Sequence, residues 1–74
     1  MKNLADLKKG KKAVIDSFLD KELALKLMEM GCLPGEVVTI ERKAPLGDPI
    51  AISVAGFLLS VRKEDAATIL VKNI

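Results

Sequence analysis

The stretch PIAISVAGFLLSVR sets the tightest limit on what this chain can become. Ile50, Ile52 and Val54 alternate with Ala51 and Ser53, and Phe57, Leu59 and Val61 alternate with Leu58, Ser60 and Arg62. Period-two patterning marks half-buried strands. The Ala55-Gly56 pair between them marks a tight hairpin turn. With 74 residues the chain reads as one domain over 1–74. A chain this short buries only about 60% of the surface its unfolded form exposes, so its core must be dense. Half the residues are hydrophobic and nearly all of those are aliphatic, which is enough to build one.

Three more strands join the hairpin. KAVIDSFL (Lys12 to Leu19) and EVVTIERKA (Glu36 to Ala44) are rich in branched residues, and ILVKN closes the pattern. KEDAAT reads as a single helical or 3-10 turn. Between the first two strands lies KELALKLMEMG, with Asp20 as N-cap, Gly31 at the C′ position and Pro34 forbidding continuation. The expected fold is mostly β with one α-helix between the first and second strands: a small five-stranded barrel, its helix plugging one open end with Leu23, Leu27 and Met30. Closure would remove exposed sheet edges.

The helix is wider in its apolar arc than one core requires. Leu23, Ala24, Leu27 and Met30 share a face, and Glu22, Lys26 and Glu29 take the opposite one. Leu25 and Met28 belong to neither. They either fill a groove between helix and barrel or form a docking patch, for which flexible methionine is suited. With Leu58 they are equally suited to a self-contact.

Composition excludes much. There is no histidine, so neither Cys32 nor any serine has an imidazole base. One thiol cannot assemble a cysteine–histidine zinc site or a two-histidine iron site, and the acidic residues follow no ion-loop spacing. No catalytic residue, metal ligand or cofactor is assigned. Net charge is +2, too balanced to name a partner. KKGKK (Lys8 to Lys12) reads as a solvated, disordered entry segment, with weak attraction to anionic lipid headgroups as its sharper reading. Phe18 and Phe57, the only aromatic residues, lie in apolar segments and read as core, which leaves no stacking platform for nucleic acid. The N-terminal MKNLADLKKGKK has no apolar run of signal-peptide length. The longest apolar stretch, Ile50 to Val61, falls short of the about 20 residues a membrane span needs. A single cysteine suits a reducing cytoplasm.

The connection APLGDP is the odd feature. Pro45 presets a turn and Gly47 suits the last position of a type I turn. Asp48 can cap backbone N–H groups, and Pro49 holds it extended. A well-made loop needs no apolar tip, yet Leu46 stands there. A fixed loop loses little entropy on binding, so Leu46, with Asp48 beside it, is a candidate anchor for a partner.

Met28 to Ala66, with the order MG (Met30, Gly31), LPG (Leu33, Pro34, Gly35), APLGDP, the hairpin Gly56 and SVRKEDA, resembles the FeoA family. With AVI (Ala13 to Ile15) and the helix, the resemblance covers nearly the whole chain. It implies a small cytoplasmic SH3-like protein of bacterial ferrous iron uptake, acting with FeoB, a membrane transporter carrying a cytoplasmic GTP-binding domain. The contact surface would be aliphatic, since no Trp or Tyr is present to line a proline-peptide groove. Similar domains end iron-dependent repressors, so a transition-metal-sensing module is the alternative. Any metal would have to use Cys32 or carboxylates such as Asp48.

Overall fold

The hairpin forms as its alternation dictates, and the rest of the sheet is built outward from it. The computed structural model describes residues 1–74. Strands β1 (Lys2–Asn3), β2 (Lys12–Phe18), β3 (Val37–Lys43), β4 (Ile50–Val54), β5 (Phe57–Val61) and β6 (Ile69–Asn73) form one antiparallel sheet in the order β1-β6-β2-β3-β4-β5. Helix α1 (Lys21–Glu29) lies between β2 and β3, and a single turn, α2 (Lys63–Ala66), between β5 and β6.

Register aligns the aliphatic residues into rows. Ala13, Val38 and Val54 are cross-strand neighbours, as are Ile40 and Ile52, and Ile15 and Val71. All are buried, and no polar residue joins them. Each fully buried Ile or Val contributes about 1.5–3 kcal/mol relative to exposure.

Two bulges curve the sheet. Ile15 pairs with Val71 and Ser17 with Leu70, leaving Asp16 as an extra residue; Ile40 pairs with Ile52 and Arg42 with Ala51, leaving Glu41 extra. A bulge bends its strand and inverts the side-chain parity beyond it. After Asp16 the inward position passes to Phe18, opposite Ile69, and after Glu41 it passes to Lys43, opposite Ile50. Lys43 extends inward only to donate from Nζ to the Ala5 carbonyl at 3.1 Å. Both bulge carboxylates are bonded: Ser53 Oγ donates to Glu41 at 2.7 Å, and Lys72 Nζ lies 3.0 Å from Asp16.

Four expectations are corrected. There are six strands, because residues preceding Lys12 also take part: Lys2 pairs with Val71, and Leu4 and Leu7, around the 3-10 turn Leu4–Asp6, are core. The helix therefore follows the second strand. The sheet is curved but not closed, since β1 and β5 have one neighbour each. Third, Lys8 to Lys12 is ordered, a tied turn that leads into β2 at Lys12: Gly10 N–H donates to the Ile40 carbonyl at 2.7 Å, and Ile40 N–H to that of Lys11 at 2.9 Å. Finally, Phe57 is 63% exposed rather than core, and Met30 is 41% exposed, so the helix seals the core through Ala24 and Leu27 with Leu23 half-buried. α1 is otherwise as its signals require. The Asp20 carboxylate accepts from Leu23 N–H at 3.0 Å, and Gly31 follows the C-cap with φ +104°.

Two outcomes follow from this geometry. Ala55 holds φ +52° beside Gly56 at +83°, a left-handed pair that Asn-Gly fills without strain. Ala55→Asn should raise stability in denaturant titration by about 0.5–1 kcal/mol. At Asp16, the hydrogen bond from Lys72, then that from Ser17, holds the carboxyl below its ordinary value of 3.8. A lowered folded-state pKa stabilises above the unfolded value and loses that contribution as pH falls through the folded one. Stability measured on acidification from pH 3.8 should therefore fall less in Asp16→Asn than in the natural chain.

Candidate docking surface

The loop between β3 and β4 is held at several points. Gly47 N–H donates to the Ala44 carbonyl at 2.7 Å, closing the turn Ala44-Pro45-Leu46-Gly47, and Ala44 N–H donates to the Pro49 carbonyl at 3.1 Å. The Asp48–Pro49 peptide is cis. The Asp48 carboxylate accepts from the backbone N–H of Lys63 at 2.9 Å. That bond has a specific local cause. Arg62 at the N-cap of α2 supplies no side-chain cap, so the first-turn N–H groups need an acceptor from elsewhere. Asp48 provides it from across the fold.

Leu46 stands at the tip and is 93% exposed. Leu25 is exposed on α1, and Met28, one turn on, is half-buried. Leu46 and Asp48 share the β3–β4 loop, and Leu25 and Met28 share α1. Asp48 ties its loop to α2, at the end of the β4–β5 hairpin where Ile50 pairs with Val61. The C-terminal end of α1 lies at the opposite end of the hairpin, where a Cβ on Gly31 would sit 3.6 Å from that of Ala55. Leu23, Lys26, Leu27 and Met30 also line a groove with Val61, Arg62 and Asp65, so α1 reaches along β5 toward the end where Asp48 meets α2.

A third apolar surface lies on β5, where Phe57 and Leu58 are both exposed. Alternation places Leu58 outward but puts Phe57 with Leu59 and Val61, which face the core. The exposure of Phe57 is disguised because the strand leaves the core at its turn end and lies at the sheet edge. The absence of any charge in FLLSV is the signal that could have found it.

Cys32 is fully buried, and burial pushes its thiol pKa up, away from the reactive thiolate. No three cysteine, aspartate or glutamate side chains gather in a way that could hold a metal ion. No helix is long and apolar enough to cross a membrane.

Comparison with known proteins then decides the family. The FeoA domain model matches residues 2–73. The chain belongs to the FeoA domain family. It is 36% identical over 72 residues to a Porphyromonas gingivalis fusion of Fe(2+) transport protein A with the Fe(2+) transporter FeoB, covering 96% of this chain but 8% of the fusion. The FeoA-like protein of Clostridium acetobutylicum superposes with a TM-score of 0.91 at 35% identity, over 99% of this chain and 86% of that one. The FeoA of Stenotrophomonas maltophilia, solved with zinc and described as a prokaryotic SH3 domain protein, gives 0.85 at 27% identity, over 97% and 91%. A manganese-dependent transcriptional repressor shares the fold at 11% identity, with a TM-score of 0.87 over 99% of this chain and 41% of that one. The six-stranded sheet is thus the SH3-like fold of FeoA proteins.

The two residues of the loop have separable roles in a variant test. Asp48→Ala removes the cap of α2 and should lower stability by about 0.5–2 kcal/mol. Leu46→Ala, at a fully solvated tip, should leave the thermal midpoint unchanged. Paired melting curves of the two variants check this.

Proposed function

We propose that the chain is a cytoplasmic accessory domain of ferrous iron uptake that works by protein–protein contact with the cytoplasmic, GTP-binding part of a FeoB-type transporter, without catalysis or a cofactor. The observation that carries this reading is the Porphyromonas gingivalis fusion, in which an FeoA domain and the transporter share one polypeptide. Covalent fusion fixes two partners at high effective concentration, which is useful when the separate domains must meet. Ferrous iron is then the transporter's cargo.

Leu46 is the anchor of that contact. Its turn is already ordered, so docking loses little chain entropy. Asp48 positions the turn through Lys63 rather than touching the partner alone. Leu25, with the exposed part of Met28, offers a second apolar contact on α1. The lysines at 8, 9, 11 and 12 are exposed on one turn and favour proximity to an anionic membrane surface.

The zinc complex of the Stenotrophomonas maltophilia FeoA supports a second reading, a metal-binding sensor module. Here such a module would have to use the buried Cys32 or carboxylates such as Asp48, whose oxygen is already engaged by Lys63.

Binding of the chain to the transporter's purified soluble region, followed by calorimetry, tests both readings. Leu46→Ala should weaken binding by about tenfold or more, the equivalent of one buried leucine. Equal affinity with an intact fold would remove the loop from the interface. Stoichiometric, tight uptake of Fe(II) by the chain alone, under anaerobic conditions, would favour the sensor.

A further inference from the structure

The two edges of the sheet are unlike. β1 is two residues long and carries Lys2, so it offers little to another strand. β5 is five residues long, reads FLLSV, and pairs with β4 in unbroken register. It has no charge, proline or bulge, the devices that normally guard an edge.

The hairpin determines which backbone groups are free. Across a two-residue turn Val54 and Phe57 form the hydrogen-bonded closing pair, so Ile52–Leu59 and Ile50–Val61 are hydrogen-bonded pairs as well. The N–H and C=O groups of Leu58 and Ser60 therefore point away from β4, along the open edge.

We propose that this edge pairs with β5 of a second copy of the chain, antiparallel, about a two-fold axis through Leu59. In this register Leu58 of each copy exchanges hydrogen bonds with Ser60 of the other, so all four free groups are satisfied. A shift of two residues one way sets Ser60 against Gly56, in the turn. The opposite shift sets Leu58 against Arg62, whose carbonyl already accepts from the Asp65 and Ala66 N–H groups.

Side chains favour the same register. Phe57 falls opposite Val61 of the second copy, at the mouth of a groove of about 270 Å³ between α1 and β5, lined by the apolar Leu23, Leu27, Met30 and Val61 and by the polar Lys26, Ser60, Arg62 and Asp65. That placement covers an aromatic ring otherwise 63% exposed. Arg62 falls opposite Gly56 of the second copy, beside the C-terminal end of α1. Glu29 and Lys26 both sit in that last turn and offset each other, which leaves the partial negative charge of the helix C-terminus facing the guanidinium. An apolar centre is thus flanked on both sides by a cation at a helix C-terminus. One edge strand per copy is a small interface, so the dimer is weak and concentration-dependent.

Sedimentation equilibrium and amide hydrogen exchange, from about 10 µM to about 1 mM chain, read this directly. The dimer fraction should rise from near zero to a majority, and the Leu58 and Ser60 amides should slow by about tenfold or more. The Leu59 amide, already bonded to β4, should not change. Leu58→Lys should remain monomeric. Ser60→Pro removes a donor that the monomer does not use, and should also stay monomeric with its Leu59 amide still protected; if that variant fails to fold, Leu58→Lys alone decides. A chain that is monomeric at about 1 mM, or dimerises with the Leu58 and Ser60 amides unprotected, would overturn the proposal.

Discussion

The bulges at Asp16 and Glu41 are what the remaining architecture depends on. A sheet this small cannot stay flat and still cover its own apolar face. One inserted residue in each of β2 and β3 bends the strands so that the rows built on Val38, Ile40, Ile52 and Val54 face a common interior. The inserted residues are acidic, and each finds a partner on a neighbouring strand: Lys72 for Asp16, Ser53 for Glu41. Polarity at these points keeps the extra residue outside, and the parity of the strand inverts around it.

That inversion explains the pattern of what could be read from the residues. Where parity is constant, in the strand from Ile50 to Val54, alternation identifies the buried side chains, and in α1 wheel position finds Ala24 and Leu27 but not the exposure of Met30. Gly31, Gly47 and Gly56 stand where their turns need them, each with positive φ. Short contributions were not legible: a two-residue strand at Lys2 and a single 3-10 turn carry no periodicity, so Leu4 and Leu7 gave no sign of entering the core. Phe57 misled for a related reason. Alternation gives the face on which a residue lies, while its distance along the strand decides whether the core extends beneath it.

The candidate site follows the same logic. Leu46 could be placed at an exposed tip because proline and glycine fix the turn locally. Its position relative to α1 could not be read, since it depends on how the end of α1 meets Ala55 and how Asp48 meets α2, contacts remote in sequence. The open edge depends on topology: β5 lies at the border of the sheet only because β6 inserts between β1 and β2.

The bond from Lys63 N–H to Asp48 has a consequence for signalling through so small a body. It makes one carboxylate responsible both for the shape of the loop and for the first turn of α2, the segment that leads into β6, between β1 and β2. A ligand that drew Asp48 aside would uncap that turn in the same motion. Contact at the rim of the molecule would thus be transmitted to its interior as a loss of helical order, with no hinge required.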